Sequence, residues 1–294
     1  MTPLHLLAAL GIVLIWGFNF VVIKVGLDGN PPIFLCVLRF TLAAFPAVFF
    51  IRRPAVPFIK IVYYGLLIFA LQFALLFSAM ALGVSAGLAS LALQVQVFVT
   101  IGLALVVLND KPSVFQVLGA LIAFLGIAVI AMNVGGEVSA IGLVLVMLAA
   151  LAWGSGNIVS KKIGRVDMLA LVVWGSLVAI VPLLALSLLI EGPARIVHSL
   201  VNLHWIPVAS VVYQAYLSTL FGYGMWSWLL SRYAAATVAP LTLLVPVVGM
   251  ASSALVLGEQ LQTWKLGAAA LVIAGLCINV VGPRLVLRIR SAAQ

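Results

Sequence analysis

Charged residues are scarce in this sequence: they make up 7% of its 294 residues, whereas 66% are hydrophobic. A soluble domain has about 25% charged and about 45–50% apolar residues, and it needs the polar share to cover its surface. This chain has too few charged and polar residues to cover the surface of a soluble globular fold, which excludes such a fold. The composition therefore predicts an integral membrane protein.

Cysteine and histidine are also rare, with two and three copies. Cys36 and Cys277 both lie inside apolar runs, which excludes a disulfide framework and a CxxC metal site. Ser90 and Ser155 have no histidine or lysine at a suitable depth to activate them as nucleophiles. We therefore expect no enzyme activity, no metal site and no cofactor.

Acidic residues number six against fifteen basic ones, for a formal net charge of +9. Nucleic-acid binding needs several phosphate-reaching cations on one face, and the basic residues here never cluster with interleaved polar groups. We expect no nucleic-acid partner. All six acids fall in connections between apolar runs, so the sequence disfavours proton antiport through a buried carboxylate.

Ten apolar runs are each long enough to cross a hydrocarbon core of roughly 30 Å, which takes about 20 helical residues. No alternating pattern of barrel strands is present, and lipid permits only helices or closed barrels. The sequence thus predicts an all-α membrane protein with ten transmembrane helices. The predicted spans 1 to 10 are residues 4–25, 33–51, 59–82, 86–108, 114–132, 140–160, 168–190, 208–230, 237–257 and 264–281.

The distribution of basic residues predicts the orientation, because cytoplasmic loops are enriched in Lys and Arg. If the N-terminus is cytoplasmic, the inner connections hold Arg52, Arg53, Lys60, Lys111, Lys161, Lys162, Arg165, Arg232, Arg284, Arg288 and Arg290. The outer ones hold only Lys24, Arg195 and Lys265. We therefore expect both termini in the cytoplasm, a bilayer as surroundings and a location in a bacterial inner membrane. Span 1 has no basic leader or cleavage site, so we expect it to be retained.

The chain repeats itself. Span 1 carries Trp16-Gly17, an asparagine one turn later and Lys24, and span 6 carries Trp153-Gly154, an asparagine and Lys161 in the same order. Five spans per repeat is an odd number, so the two halves must be inverted relative to each other in the membrane. Inverted repeats around a central site are the architecture of secondary transporters. We predict repeat 1 at residues 1–135, and repeat 2 at 136–294 with a short basic cytoplasmic tail.

Uncharged polar side chains within the spans are candidates for substrate binding, because a buried amide needs hydrogen-bond partners. The candidates are Asn19, Gln72, Gln94 and Asn157. Gln96 points nearly opposite to Gln94 on its helix, so we expect only Gln94 to face a cavity. For each amide the alternative is a hydrogen bond between helices.

Two cations within the predicted spans are also candidates. Arg39, in span 2, is predicted to bind a substrate carboxylate; the alternative is a side chain that reaches the headgroups or pairs with Asp28. Lys24, at the outer end of span 1, is predicted to act in gating, or else to pair with Asp28 at i+4.

Aromatic residues and prolines complete the candidate set. Trp16 and Trp153 lie mid-span, away from the interface where membrane tryptophans are usual. Tyr216, Thr219, Tyr223 and Trp226 have helical spacing and are expected to form one stripe, which lines a cavity or packs against neighbours. Pro240 and Pro246 in span 9 remove backbone hydrogen bonds and are predicted to serve gating.

Several motifs resemble the EamA family of the drug/metabolite transporter superfamily: Trp16-Gly17 with Lys24, Leu38-Arg39-Phe40, Gly87-Leu88-Ala89-Ser90, and Leu255 with Glu259. That resemblance implies ten helices in two inverted EamA units. Further stretches, at residues 19–27, 86–91, 156–158 and 243–249, resemble the family's bacterial exporters of O-acetylserine and cysteine. The resemblance therefore implies export of these compounds.

A site with many neutral donors and acceptors and little fixed charge suits a small zwitterionic solute. We accordingly expect a secondary transporter that exports such metabolites by alternating access through a cavity between the repeats, with a monomer as the functional unit. The alternatives are a broader exporter of amino acids or amphipathic metabolites, and a facilitative channel.

Overall fold

The computed structural model describes residues 1–134, 138–202, 204–233 and 235–292, with side chains as far as Gly282 except at 235, 236 and 239. The predicted boundary between the repeats and the side chains of the predicted basic tail lie outside the described residues. In the described ranges the chain forms helices and no strand, as the sequence predicts.

Polar side chains just before the apolar runs fix where several helices begin. The hydroxyls of Thr2, Ser85, Ser113 and Ser139 each accept a hydrogen bond from a backbone N–H of the following helix, and the carboxylate of Asp167 accepts two. Such caps satisfy backbone groups that a helix start leaves unpaired. The membrane helices are α1 Pro3–Gly26, α2 Pro32–Ala44, α3 Phe58–Ala81, α4 Ala86–Leu108, α5 Val114–Ala131, α6 Ala140–Ile163, α7 Met168–Ile190, α8 Trp205–Arg232, α9 Pro240–Leu257 and α10 Thr263–Ala292.

Within the described ranges, nine helices are long and apolar enough to cross a membrane. A tenth is added if α8 is counted together with a short helix that precedes it, Pro193–Val201. Sequence reasoning placed that short segment in a connection. α8 by itself is not apolar enough to count as a membrane span, because tyrosines, tryptophans, serines and a glutamine lower its mean hydropathy. Several of these polar and aromatic residues belong to the candidate site.

Contacts between the helices repeat in the two halves of the chain. α1 packs against α8 and α9, and α6 packs in the same way against α3 and α4. The contact between α2 and α8 corresponds to the contact between α7 and α3. In addition, α2 packs against α7, α4 against α9 and α5 against α10, and each of these contacts joins a helix to its equivalent in the other half. This is the pattern that a two-fold relationship between helices 1–5 and helices 6–10 produces.

Departures from α-helical geometry repeat as well. π-helical segments occupy Gly65–Leu71 of α3 and Tyr213–Phe221 of α8, and 3₁₀ segments occupy Leu93–Val95 of α4 and Ala239–Leu244 at the start of α9. π segments are rare and concentrate at functional sites. Their occurrence in equivalent helices places the irregular backbone of both halves beside α1 and α6.

The two Trp-Gly motifs make equivalent close approaches. A Cβ atom on Gly17 would lie 2.5 Å from the side chain of Val248 in α9, and one on Gly154 would lie 2.6 Å from Val99 in α4. Only glycine fits at such crossings, since real Cβ atoms do not approach this closely. The repeated motif thus fixes α1 against α9 and α6 against α4.

We call the end of the bundle at which α1 finishes the far end, and the end that carries the N-terminus the near end. Successive membrane helices run through the bundle in opposite directions, so α2 and α4 begin at the far end, and α3, α7 and α9 finish there.

Candidate functional site

Trp16 lies at the centre of an aromatic cluster between α1 and α8. Its indole Nε1 donates a hydrogen bond to the carbonyl oxygen of Ser218 at 3.0 Å. Its ring centroid is 5.6 Å from that of Tyr223 and 5.3 Å from that of Trp226. The structure therefore brings three of the predicted site residues together.

Arg39 is buried in the bundle, with 2% of its surface exposed. Its Nε and one η nitrogen donate hydrogen bonds to Thr219 Oγ1 at 3.3 and 3.0 Å, and the other η nitrogen donates to Gln214 Oε1 at 3.2 Å. The guanidinium carbon is 4.2 Å from the ring centroid of Phe73. Both alternatives considered for Arg39, a side chain at the headgroups and a pair with Asp28, are therefore wrong.

The partners of Arg39 belong to a chain of hydrogen bonds that the sequence did not reveal. Gln214 Nε2 donates to Ser210 Oγ at 2.9 Å, and Ser210 Oγ donates to the carbonyl of Val22 in α1 at 2.8 Å. Thr219 Oγ1 donates to the Gln214 carbonyl at 2.7 Å. Gln214 was missed, although an amide within an apolar run was the signal that selected Gln72 and Gln94.

The predicted stripe along α8 is wrong in one part. Thr219 is fully buried, whereas 38% of the Tyr216 surface is exposed, so these two residues do not share a face. The reason is the π segment Tyr213–Phe221, whose i→i+5 hydrogen bonds change the rotation per residue from that of an α-helix. Tyr223 and Trp226 follow the segment and face Trp16.

Three amides that were predicted to bind substrate are buried in the bundle. Asn19, Gln72 and Gln94 are 6%, 2% and 9% exposed. The side-chain oxygen of Asn19 is buried and has no partner in the described part of the chain. Buried polar groups are normally satisfied, so such an atom is a candidate contact for a ligand or a bound water.

Asn157 makes a hydrogen bond between helices instead. Its Nδ2 donates to Gln96 Oε1 at 2.9 Å and to Thr100 Oγ1 at 3.1 Å, which joins α6 to α4. Trp153, one turn earlier, is half-buried and packs against the hydrophobic core. The two asparagines of the repeated motif therefore have different surroundings.

The buried polar residues lie at similar depth. Asn19, Arg39, Gln72 and Gln94 are seven to nine residues from the far ends of their helices, which corresponds to about 10–14 Å at 1.5 Å per residue. They therefore lie at a common depth, in four different helices of the first half.

Two glutamates from the second half cap helices of the first half at the far end. Glu191, after α7, accepts hydrogen bonds from the N–H groups of Ile33 and Phe34 at 2.7 and 3.0 Å. Glu259, after α9, accepts from Ala86 and Gly87 at 2.8 and 3.2 Å. A carboxylate at a helix N-terminus satisfies unpaired donors and complements the helix dipole. Sequence reasoning placed both residues in connections without a role.

Lys24 also joins two helices at the far end. Its Nζ donates a hydrogen bond to the carbonyl of Met80 at 2.9 Å, near the end of α3. The alternative pairing with Asp28 is not formed, since the one salt bridge within the described residues joins Lys161 to Asp110 at the near end. Lys24 therefore ties α1 to α3.

The two prolines assigned to gating bound the irregular start of α9. Pro240 lies in the 3₁₀ segment Ala239–Leu244, and Pro246 is in the first turn of the α-helix that follows. The backbone around Pro240 is 3₁₀ as far as Leu244, whereas Pro246 is at a position in the first helical turn where proline is tolerated.

Comparison with known proteins identifies relatives along nearly the whole chain. A model described as the EamA-like transporter family matches residues 3–132 and 140–281. A "Probable amino-acid metabolite efflux pump" of Salmonella typhimurium is 46% identical over 293 residues, which span 97% of this chain and 96% of that protein. A protein of the same description from Escherichia coli is 45% identical and spans 94% of each chain. A solved crystal structure superposes with a TM-score of 0.64 over 97% of this chain and 99% of its own at 16% identity, which shows a shared fold.

Proposed function

Because the chain belongs to the EamA-like transporter family, we propose that it exports small zwitterionic metabolites, with O-acetylserine and cysteine as substrates, across a bacterial inner membrane. Two bacterial relatives are described as probable amino-acid metabolite efflux pumps, which supports this substrate class. The proposed working unit is a monomer, since the candidate residues come from one chain.

The observation that carries the proposal is the guanidinium of Arg39. It is a permanent cation at 2% exposure, and no carboxylate pairs with it within the described residues. Three of its five N–H groups are used by Thr219 and Gln214, which leaves two that can donate. A buried charge is costly unless it is paired, and the carboxylate of an amino acid would supply the missing partner.

The rest of a zwitterion also finds suitable groups. The faces of Trp16, Tyr223 and Trp226 are electron-rich and hold an ammonium group at about 1–2 kcal/mol when water is excluded. The amides of Asn19, Gln72 and Gln94 offer neutral donors and acceptors at the same depth. We propose these seven residues as the binding set; for Trp153, Asn157 and Tyr216 a direct contact with substrate stays a prediction.

Transport is proposed to occur by alternating access. The repeated helix contacts indicate two equivalent halves, and inverted halves can exchange their conformations to open one end or the other. In this structure the far end is held by Glu191, Glu259 and Lys24, which all join separate helices. The irregular backbone around Pro240 and Pro246 is proposed to bend during the exchange.

The distribution of basic residues supports the proposed orientation, whereas export is proposed from the relatives, which are described as efflux pumps. Most of them lie at the near end, so we propose that this end and both termini are in the cytoplasm. The far end then faces outward, and the far-end contacts close the outward path. We propose that substrate enters from the cytoplasm in this state and leaves when the far-end contacts separate.

The substrate class can be tested by competition in proteoliposomes. Uptake of labelled O-acetylserine would be measured with excess unlabelled O-acetylserine, cysteine, or cysteamine, which is cysteine without its carboxylate. The proposal predicts strong competition by the two zwitterions and little by cysteamine. Equal competition by cysteamine would show that the carboxylate is not recognised.

A further inference from the structure

A cavity lies at the near end of the bundle, outside the proposed substrate site. It has a volume of about 690 Å³ and is formed by the connection between α2 and α3 together with the connection between α6 and α7. Three arginines line it: Arg52, Arg53 and Arg165. We refer to it as the arginine cavity.

The walls of the arginine cavity are fixed by hydrogen bonds. Trp174 Nε1 in α7 donates to the carbonyl of Ile51 at 3.1 Å. Lys60 Nζ at the start of α3 donates to the carbonyl of Lys162 at 3.0 Å, which ties α3 to the end of α6. Pro54 also restricts the backbone of the first connection. The cavity is therefore part of the folded bundle.

Positively charged residues outnumber negatively charged ones in the lining of the arginine cavity. Asp167 is its one acidic lining residue, and Asp167 Oδ1 is occupied as the cap of α7, with hydrogen bonds from Leu169 and Ala170 at 2.9 and 3.3 Å. In the part of the chain that the structure describes, the three arginines have no carboxylate partner. Three guanidinium groups against one carboxylate leave a local excess of two positive charges.

The remaining lining is apolar, and the surroundings belong to the membrane. Ala55, Val56, Ile163 and Val166 contribute to the lining. Phe50 also lines the cavity. Phe49 and Phe50 expose 75% and 82% of their surfaces, and both follow the end of α2 at the near end of the bundle. An anionic group among the arginines would thus have hydrocarbon beside it.

From this juxtaposition of three arginines, which have no carboxylate partner among the described residues, with an apolar wall and exposed phenylalanines, we propose that the arginine cavity binds the phosphodiester headgroup of an anionic phospholipid. Arginine recognises phosphate with paired N–H donors, and basic pockets between membrane helices on the cytoplasmic side hold such headgroups. Phe49 and Phe50 lie against the acyl chains. Free phosphate shares the charge but would leave the apolar surfaces without a partner.

The test uses the full-length protein in detergent and measures bound lipid by native mass spectrometry. Phosphatidylglycerol, cardiolipin and phosphatidylcholine are titrated separately into wild type and the double variant Arg52→Gln/Arg165→Gln. We expect the anionic lipids to bind wild type in preference to phosphatidylcholine. Removing two cations near the surface is expected to weaken that binding about 30-fold.

A charge-matched control is the double variant Lys111→Gln/Arg232→Gln, which removes two cations at the same end but away from the cavity. It is expected to bind like wild type, and melting temperatures of all variants would establish that they are folded. Equal affinity of wild type and the Arg52/Arg165 variant overturns the proposal, as does equal binding of phosphatidylcholine. Displacement of lipid by millimolar inorganic phosphate would show a site for free phosphate and also overturn it.

Discussion

Glu259 Oε1 accepts a hydrogen bond from the backbone N–H of Ala86 at 2.8 Å, so the end of α9 caps the start of α4. The two residues are 173 positions apart and lie in the two separate matches to the family model. Glu191 makes the corresponding contact from α7 to α2. The far end of the bundle is therefore held by carboxylates that cross between the halves.

Replacing Glu259 by Gln is expected to destabilise this closed arrangement. A neutral amide has one acceptor oxygen instead of two and does not complement the helix dipole, and hydrogen bonds to charged groups contribute about 1.5–3 kcal/mol. We predict a melting temperature in detergent that is lower by several degrees. Asp28→Gln, at an exposed acid of the same end, is the control and should melt like wild type. An unchanged Glu259→Gln melt would contradict the assigned role.

Arg39→Gln is expected to weaken substrate binding while leaving the stability of the protein nearly unchanged. The variant removes the proposed partner of the substrate carboxylate. The loss is expected to weaken binding by about 2 kcal/mol, which raises the half-saturation concentration about 30-fold. It also removes a buried charge that has no carboxylate partner among the described residues, and relief of that desolvation cost offsets the lost hydrogen bonds. We predict much weaker O-acetylserine exchange with a melting temperature close to wild type. Normal half-saturation in the variant would remove Arg39 from the site.

Thr219 is predicted to position Arg39. Its hydroxyl accepts from two guanidinium nitrogens, so Thr219→Val should release the side chain and raise the half-saturation concentration about tenfold, equivalent to about 1.4 kcal/mol. Thr219→Ser keeps the oxygen and should restore near-normal exchange. If both variants behave alike, the hydroxyl does not position the guanidinium.

Gly17→Ala and Gly154→Ala are expected to destabilise the protein by similar amounts. Each new methyl group would collide with a valine of the facing helix, and overpacking of this kind costs about 1–3 kcal/mol. Gly11 is in the same helix as Gly17 with nothing near its Cβ position, so Gly11→Ala should be neutral or stabilising by up to about 1 kcal/mol. Thermal unfolding of the three variants would check this, and a Gly17→Ala melt equal to that of Gly11→Ala would contradict the close crossing.

The sequence predicts most of the helices well because their spans are continuous apolar runs with their own boundaries. It also shows the Trp-Gly repeat, which in the structure makes equivalent helix crossings. It does not predict the π segment in α8, since that depends on packing against α1 and α2, and Tyr216 was therefore assigned to the wrong face. The caps by Glu191 and Glu259 were not predicted, because they join residues more than 150 positions apart.

Arg39 shows the same limit within the candidate site. Its position in an apolar run marked it as unusual, but sequence spacing suggested that it reaches the interface or Asp28. Its actual partners, Gln214 and Thr219, lie in the other half of the chain. Only the tertiary fold reveals that this cation is buried and that no carboxylate pairs with it in the part of the chain that the structure describes.

Counterflow in proteoliposomes tests the central claim most directly. Vesicles containing the protein would be preloaded with unlabelled O-acetylserine and given a trace of labelled O-acetylserine outside, with protein-free vesicles and the Arg39→Gln variant in parallel. Transient accumulation of label above its equilibrium level, absent from both controls, is the result that a carrier with Arg39 in its binding site predicts. Simple equilibration without accumulation would contradict alternating access, and accumulation that persists in the variant would contradict the role of Arg39.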